Sequence, residues 1–367
     1  MPTAAPRQTN APTSPVDEFR QAMRDYGLEV THRGIEHPIA DGQRHRVPAT
    51  TSTRKANSDG FYVFHNDGHP AGYIMNNHTG EGGKWVAKGY TLSDAERANM
   101  AASATLKLQQ RETEHQQAME RTAERTQRQV TELAPLAVGS STPYLERKGV
   151  TAAAGIFTDK NGQNTYVPVI DVNNKQWSMQ YIQPDGTKRF AKDGRKDGCF
   201  HALGGLDALK AAPALVVGEG YATARTASDA LGFATVAAFD AGNLKAVVKA
   251  LTDAYPDKPL VIIGDDDKGQ EVRHGTNPGR EKALAAAEAV GGVAVFPIFA
   301  PGEQANNPGK FSDFNDLAVR SSLGADAVRR QIQPVVDRAI KQGLQKKDTL
   351  RQQEKVLTQE PRKRIRM

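Results

Sequence analysis

Cysteine is almost absent from this chain, since Cys199 is the only one among 367 residues. A single cysteine excludes an internal disulfide and any metal site built from several thiolates. Chains without disulfides are typical of reducing compartments, so we expect the protein to work in the cytoplasm. No structural zinc is expected either, because histidine would have to supply the ligands without cysteine.

Long apolar runs are also missing. No uninterrupted apolar stretch approaches the roughly 20 residues that a membrane-spanning helix needs, and the first residues, Met1 to Arg7, lack the apolar core of a secretory signal. No Gly-x-x-x-x-Gly-Lys-Ser/Thr motif occurs anywhere in the chain. We therefore expect neither a membrane partner nor a fused helicase driven by nucleotide hydrolysis.

Positive charge is concentrated at the end of the chain. Residues 341–367 contain nine Lys or Arg against three Asp or Glu, which accounts for the whole net charge of +6. Such a basic tail can attract nucleic-acid phosphates whatever their sequence. A solvated, disordered tail explains the same composition, and both interpretations stay open.

Composition and periodicity divide the chain into six segments. The first residues are Ala, Pro, Thr, Ser and Asn and predict disorder, whereas Phe19, Met23 and Tyr26 have helical spacing. A stretch rich in Gln, Glu, Arg and Ala predicts a helical spacer that buries little. The predicted segments are a disordered start (1–15), a small α+β domain (16–92), a helical linker (93–134), a β-rich unit (135–212), an α/β domain (213–342) whose last helix covers 325–340, and a basic tail (343–367).

The α/β domain is built from short apolar strands that each end near an acidic residue. Residues 214–218 lead to Glu219, residues 234–238 lead to Asp240, and residues 260–263 lead to three consecutive aspartates. Helical segments separate these strands, so we expect parallel strands whose carboxyl ends share one edge of the sheet. The acidic residues that should converge at this edge are Glu219, Asp240, Asp265, Asp266 and Asp267.

Clustered carboxylates of this kind predict a divalent metal site. Ionised acids repel one another in a partly dry site unless cations compensate them, and Mg²⁺ prefers oxygen ligands that it can share with phosphates. Asp265 and Asp267 point the same way if the chain there is extended. Glu219 could take a proton from an attacking hydroxyl or give one to a leaving group. The alternative is that acids at strand ends only cap helices.

A dense basic segment lies directly before the α/β domain, after two predicted strands (166–170 and 177–182) and a turn. Its position predicts that it binds a polyphosphate or the backbone of a template strand. A solvated basic loop is the alternative. The candidate residues for binding nucleic acid or nucleotide are Lys188, Arg189, Lys192, Arg195, Lys196 and, before the last acidic motif, Lys310.

Histidine and basic residues accumulate in the small first domain, where strands at 61–64 and 71–75 flank Asp67-Gly68 and predict a hairpin. Its six histidines match no zinc spacing. Basic residues interleaved with aromatic ones predict binding of single-stranded nucleic acid, but a β-rich core with a basic exterior explains them equally well. The residues concerned are His32, His37, His45, His65, His69 and His78, with Arg44, Arg46, Arg54, Lys55, Lys84, Lys88, Tyr62, Phe64, Tyr73 and Trp85.

Four motifs follow one another in the α/β domain: Glu-Gly-Tyr-Ala-Thr-Ala at 219–224, three aspartates at 265–267, Asn-Pro-Gly-Arg at 277–280, and Asp-Phe-Asn-Asp-Leu at 313–317. As an ordered set they resemble the TOPRIM domain of plasmid and satellite-phage DNA primases, above all the TraC-type primases of conjugative plasmids. The preceding unit, residues 144–205, is similar to the N-terminal half of the primase core. The likeness covers about residues 140–320.

This resemblance implies a TOPRIM-type parallel sheet with flanking helices, preceded by a β-rich primase-core subdomain. It also implies synthesis of short RNA primers on single-stranded DNA from ribonucleoside triphosphates, with Mg²⁺ or Mn²⁺ and with a helicase or conjugation machinery as partner. Asp265 and Asp267 would be metal ligands, and Glu219 an acid/base or ion-linked residue. Asp313 and Asp316 would be further ligands or supporting groups.

The chain departs from many bacterial primases because it has no cysteine-rich zinc module near its N-terminus, so the resemblance does not extend to template selection. A TOPRIM nuclease is one alternative, since the same acids and metal can hydrolyse a phosphodiester when water replaces the nucleotide hydroxyl. The basic segment and the matching unit before the first motif favour a primase. A non-catalytic protein that binds single-stranded DNA is the second alternative.

Overall fold

The computed structural model describes residues 14–52, 58–66, 69–88 and 94–359. The chain divides into two units, Met1–Glu112 and Thr113–Met367. Four sequence-based expectations concern residues outside the described part: disorder over 1–13, the hairpin turn Asp67-Gly68, the basic residues Arg54 and Lys55, and the last residues of the basic tail, 360–367.

The first unit packs a helix against an antiparallel sheet. Helix α1 (Pro15–Asp25) is capped by Ser14, whose hydroxyl accepts a hydrogen bond from the Asp17 amide at 3.2 Å. Phe19 and Met23 are fully buried on one face of this helix. The strands are β1 (Thr31–His32), β2 (Ile35–Glu36), β3 (Arg44–Val47), β4 (Gly60–His65), β5 (Ala71–Asn76) and β6 (Glu81–Val86); β1 pairs with β2, and the main sheet has the order β3-β4-β5-β6.

Side chains alternate between the two faces of this main sheet. Tyr62 and Phe64 face α1, where Phe19 stacks on Phe64 with ring centroids 4.4 Å apart. Trp85 also meets Phe19, with centroids 5.0 Å apart. Three of the four aromatic residues considered for base stacking therefore belong to the core, because α1 covers their face. Tyr73, on the opposite face, is 38% exposed.

Helix α2 (Asp94–Glu132) corresponds to the predicted linker, and the division between the two units falls within it. Its last turns are not a spacer, because they pack on the second unit. Ala123 and Thr126 are buried there, and the Thr122 hydroxyl donates to the Lys192 carbonyl at 3.0 Å. This half of the helix is an integral part of the second unit.

The second unit begins with an antiparallel sheet in the order β11-β10-β9-β8-β7. The two predicted long strands pair as expected, with Gln180 opposite Val167. Helix α3 (Pro143–Arg147) buries Tyr144 and Leu145 beside this sheet. The strands are β7 (Ala134–Pro135), β8 (Phe157–Thr158), β9 (Thr165–Ile170), β10 (Gln176–Ile182) and β11 (Lys188–Phe190).

The second sheet of this unit has the order β12-β14-β13-β15-β16 and contains the predicted parallel series. Strands β13 to β16 are mutually parallel. The sheet is not parallel throughout, because β12, contributed by the preceding β-rich segment, pairs antiparallel with β14. The strands are β12 (His201–Ala202), β13 (Leu215–Gly218), β14 (Val236–Ala237), β15 (Leu260–Ile263) and β16 (Val293–Val295).

Helices cover both faces of this sheet, so its central strands are buried on both sides. Ile262 faces the layer that contains α6 (Leu244–Ala254), whereas its neighbour Ile263 faces the layer that contains α5 (Tyr221–Leu231) and α11 (Gly324–Gln359). The segment after Asp267 forms a short helix, α7 (Lys268–His274). The helices are α4 (Gly205–Ala211), α5 (Tyr221–Leu231), α6 (Leu244–Ala254), α7 (Lys268–His274), α8 (Pro278–Ala289), α9 (Glu303–Asn306), α10 (Phe314–Val319) and α11 (Gly324–Gln359).

Helix α11 covers one face of the sheet and is longer than the expected 325–340. Val328, Ile332 and Val336 are fully buried against the sheet. The helix then continues to Gln359, through most of the segment assigned to the basic tail. Within the described residues, no helix combines the length and apolar character needed to span a bilayer.

Candidate active site at an acidic sheet edge

The strand ends bring the predicted acids to one edge of the second sheet. Gly218, at the end of β13, lies opposite Ile263 of β15 and Ala237 of β14. Glu219 follows β13 directly, and Asp265 lies two residues beyond β15. Residues far apart in the chain therefore lie side by side at one edge of the sheet, as expected for parallel strands.

Glu219 and Asp265 each have a carboxylate oxygen without a hydrogen-bond partner. Oε1 of Glu219 and Oδ1 of Asp265 are both buried and unpartnered. Burial, with repulsion from Asp267 and Asp240, raises the pKa of Glu219 to about 7. Burial and repulsion from Glu219 raise the pKa of Asp265 well above its usual range. Two desolvated acids with free oxygens are a costly arrangement that a cation would relieve.

Asp267 is held by the start of helix α8. Its Oδ2 accepts a hydrogen bond from the Gly279 amide at 2.9 Å. Asn277 caps the same helix, and its Oδ1 accepts from the Asp267 amide at 2.9 Å. Gly279 cannot carry a larger side chain without displacement, because a Cβ there would lie 2.8 Å from the Asp265 carbonyl oxygen and 3.0 Å from Asp267 Oδ2. The close approach of α8 thus positions the acidic loop.

Asp266 does not join the other acids. Its Oδ1 accepts from the Asn277 side chain at 2.6 Å, and its Oδ2 accepts from the Gln304 side chain at 3.2 Å. Arg280 lies 3.7 Å from Oδ1. The prediction that all three consecutive aspartates converge is therefore wrong for Asp266, whose carboxylate ties the loop to its surroundings.

Asp313 and Asp316 differ in the hydrogen bonds that their carboxylate oxygens make. Asp313 caps helix α10 by accepting from the Asp316 amide at 2.7 Å. Burial and the neighbouring Asp316 raise the pKa of Asp313. Asp316 is itself buried, and its Oδ2 accepts from both the amide and the hydroxyl of Ser312, while Arg320 approaches its Oδ1 at 3.4 Å. Asp316 therefore contributes charge to the edge with its oxygens already engaged.

The ammonium of Lys188, one of the predicted basic residues, lies among Glu219, Asp265 and Asp313. A Cβ on Gly220 would lie 3.8 Å from Lys188 Nζ, which places the ammonium beside the first acidic motif. Burial lowers the pKa of Lys188, and attraction to Asp313, Asp265 and Glu219 opposes that shift. Strand β11 carries this lysine to the edge from the other sheet of the same unit.

Two of the remaining basic candidates have contacts of their own. Lys196 forms an ion pair with Asp240, which follows Phe239, a residue in the left-handed region at φ +75°. The Arg195 guanidinium lies over the Trp177 ring, 4.9 Å from its centroid. Arg189, Lys192 and Lys310 are exposed.

The donor set fits a hard divalent ion in its chemistry, because it consists of carboxylate oxygens of which two are buried and unpartnered. Within the described residues, however, no three His, Cys, Asp or Glu side chains are gathered closely enough to hold a metal ion together.

The sequence of this acidic edge matches a known family. Residues 214–323 match the family model described as Toprim domain. We call residues 214–323 the Toprim domain after this match. It contains the strands β13 to β16 and the acids Glu219, Asp265, Asp267, Asp313 and Asp316.

Similarity extends beyond the Toprim domain to two proteins from Escherichia coli, both named DNA primase TraC. One is 47% identical over 419 residues, covering 99% of this chain and 39% of that protein. The other is 49% identical over 374 residues, covering 87% of this chain and 26% of that protein. The chain is a relative of TraC-type primases and spans well under half the length of either protein.

Two solved structures of primases are also similar to the chain. The DnaG primase catalytic domain, bound to single-stranded DNA, is 13% identical with a TM-score of 0.37, covering 60% of this chain and 80% of that chain. The primase fragment of the bacteriophage T7 primase-helicase protein is 15% identical with a TM-score of 0.30, covering 45% of this chain and 65% of that chain.

Sequence reasoning missed the residues that position the acids of the Toprim domain. The motif at 277–280 predicts the start of a helix, but it does not show that the Asn277 side chain bonds to the backbone of Asp267 and to the side chain of Asp266. Thr223 bonds to Asp313, and Lys282 lowers the pKa of Glu219. The Asn-Pro-Gly sequence is a usable signal for Asn277 as a helix cap. Thr223 lies inside the motif at 219–224, but nothing in the sequence relates it to Asp313, and nothing local marks Lys282.

Proposed function

We propose that this chain synthesises short RNA primers on single-stranded DNA by metal-dependent nucleotidyl transfer. The observation that carries the proposal is the meeting of Glu219 and Asp265, each with a buried, unpartnered oxygen, with the ammonium of Lys188. The two carboxylates can bind a divalent ion, and the lysine can contact phosphate oxygens. Both features suit a nucleoside triphosphate, whose polyphosphate binds a metal ion. The relationship to TraC-type primases supports the same activity.

We assign the divalent ion, Mg²⁺ or Mn²⁺, to Asp265 and Asp267, with Glu219 as a third ligand or as proton acceptor. When bound, such an ion polarises phosphate oxygens and lowers the pKa of a coordinated hydroxyl. Gly279 and Asn277 keep Asp267 at the edge. Asp313 and Asp316 add negative charge behind the first three acids.

In the proposed reaction the 3′ oxygen of the growing primer attacks the α-phosphorus of a nucleoside triphosphate, and the bond from that phosphorus to the pyrophosphate oxygen breaks. Glu219 lies at the edge where the proton of the attacking hydroxyl is released. Lys188 lies where negative charge accumulates on the phosphates and stabilises it. The template would lie along the exposed basic residues Arg189, Lys192 and Lys310. Arg195 and Lys196, which pairs with Asp240, would add further positive charge to this path.

A helicase or conjugation machinery is the proposed partner, and a reducing cytoplasm the proposed setting. The lone Cys199 is buried, and burial raises its pKa to about 11, so it is a poor nucleophile. It therefore plays no part in the proposed chemistry.

The test is primer synthesis on single-stranded DNA with labelled ribonucleotides and Mg²⁺ or Mn²⁺, resolved on a denaturing gel. We expect template-dependent oligomers from the wild type and a loss of at least about 100-fold in Glu219→Gln and Asp265→Asn. Asp253→Asn, which removes an exposed carboxylate on α6, is the matched control and should remain active.

Two other results of that assay would overturn the proposal. Shortening of the template without new oligomers, lost in the same two variants, would identify a metal-dependent nuclease. Tight binding of unchanged template by the wild type and by all variants, with no product, would identify a non-catalytic binding protein.

A further inference from the structure

The first unit has one sheet face that α1 does not cover. Residues facing this side come from all four strands, and one row runs straight across: Arg44 lies opposite Val63, Val63 opposite Tyr73, and Tyr73 opposite Lys84. Three strand spacings separate the two cations at its ends, about 14 Å in all. A positive charge thus stands at each edge of an apolar and aromatic centre.

Aromatic surface on this face is available and ordered. Tyr73 is 38% exposed, and its ring lies 6.0 Å from that of Phe61, inclined by 29°. The guanidinium of Arg44 lies over the Phe61 ring, 3.7 Å from its centroid. The two rings and the guanidinium plane are flat groups of the kind on which nucleobases stack.

The charge of this face has one sign. Arg44, Arg46 and Lys84 are exposed on it, and none of the described strand residues pointing to this side is acidic. The residues concerned are Arg44, Arg46, Phe61, Val63, His65, Ala71, Tyr73, Met75, Gly82, Lys84 and Val86. A uniformly positive face with exposed rings is complementary to an unpaired nucleic-acid strand, whose bases are free to stack and whose phosphates are negative.

We propose that this open face of the first unit is a second binding site for single-stranded DNA, separate from the acidic edge. Bases stack on Tyr73 and Phe61, while Arg44, Arg46 and Lys84 contact the phosphates on either side. Stacking of this kind tolerates any sequence. The site requires none of the carboxylates of the Toprim domain, so it does not depend on the proposed activity.

Binding is tested with the full chain and a fluorescent oligothymidylate by anisotropy, in metal-free buffer. Tyr73→Ala should weaken binding about 10-fold, the loss typical of one stacked base, whereas Tyr73→Phe keeps the ring and should bind nearly as the wild type does. Lys84→Ala should reduce the dependence of log Kd on log salt by about 0.7, the value for one phosphate contact on a single strand. Ile35→Ala, an exposed apolar residue of the pair β1-β2, is the matched control.

Photocrosslinking locates the site directly. An oligonucleotide in which 5-iodouracil replaces thymine should form adducts in the wild type with Tyr73 or Phe61, identified by mass spectrometry of tryptic peptides. Adducts confined to residues after 112, with unchanged affinity in Tyr73→Ala, would overturn the proposal. Equal competition by duplex DNA would also overturn it, because paired bases cannot stack on the protein.

Discussion

The two main sheets that carry candidate sites differ in how much of their surface is covered. In the Toprim domain, every residue of β13 and β15 is buried, because helices lie on both faces. In the first unit, burial along β4 alternates residue by residue, because only one face is covered. A sheet buried on both faces can offer chemistry only at its strand ends, whereas a half-covered sheet can offer a whole face.

This difference explains the character of the two candidate sites. The acidic edge gathers residues from distant parts of the chain, and their charges are desolvated and mutually repulsive. The open face consists of alternate residues on adjacent strands, and its charges are exposed. The first arrangement suits a bound metal ion and catalysis, and the second suits weak contacts with a flexible strand.

The largest expected effect is on the free energy of unfolding, and it tests whether one or both faces of each sheet are covered. Ile262→Ala and Ile263→Ala should each destabilise the second unit by about 2–5 kcal/mol, because neighbouring residues of β15 face two different buried layers. In β5, Ile74→Ala should be similarly costly, but Tyr73→Ala should change stability by less than about 1 kcal/mol. Urea unfolding of the full chain, with a probe in each unit, measures these values. A large loss for Tyr73→Ala would mean that its face is covered.

The next effect tests whether the acidic edge depends on positioning as well as on charge. Gly279→Ala keeps every carboxylate but places a Cβ 3.0 Å from Asp267 Oδ2. We expect primer synthesis to fall about 10- to 100-fold, as when a group that orients a metal ligand is disturbed. Gly309→Ala is the control, since a Cβ there meets nothing within 4 Å. Unchanged activity in Gly279→Ala would show that Asp267 need not be held.

A smaller effect on stability distinguishes the buried carboxylate of Glu219 from an exposed carboxylate. The folded pKa of Glu219, about 7, lies above its ordinary 4.5, so without metal its ionisation costs stability as pH rises from about 4.5 to 7. Glu219→Gln should therefore stabilise the metal-free protein by about 1–2 kcal/mol at pH 8 and by little at pH 4.5.

Thermal unfolding at the two pH values, with and without Mn²⁺, measures this effect. The ion should raise the Tm of the wild type more than that of Glu219→Gln. Asp253→Asn, at an exposed carboxylate, should behave as the wild type does at both pH values. Equal stability of wild type and Glu219→Gln at pH 8 would show that Glu219 is not under electrostatic strain.

The smallest effect concerns the cation at the acidic edge. Lys188→Ala should raise the KM for ribonucleotides about fivefold to tenfold through the loss of one charge–phosphate contact. Lys188→Arg should recover part of that loss. Lys249→Ala removes an exposed lysine of α6 that pairs with Asp253 and should leave KM unchanged. A fall in kcat with constant KM for Lys188→Ala would instead place the lysine at the transition state.

Much of the acidic edge was predictable because its determinants are local. Each apolar run of β13 and β15 ends close to an acid, and the alternation of strands with helices implies parallel pairing whatever the detailed packing. The helices α5 and α6 between these strands were predictable for a similar reason, since short-range periodicity defines them. The Toprim motifs lie on these elements and could be read with them.

Non-local contacts decided the rest. Strand β12 belongs to the Toprim sheet only because the preceding segment folds back on β14. Lys188 reaches the acids only because it begins β11 at a point where its ammonium lies beside Gly220. Asp266 and Asp316 looked equivalent to Asp265 and Asp313 until their hydrogen-bond partners were known.

The sequence alone therefore determined which residues could carry charge and where the strands would deliver them, because hydrophobic periodicity and strand ends are properties of short segments. The tertiary structure decided which of those side chains remain available. In β4 the alternation of residues was visible in the sequence, but only the packing of α1 shows that Tyr62 and Phe64 are covered while Phe61 is partly exposed. Burial and hydrogen bonding depend on what packs against a residue, and that partner is usually distant in the chain.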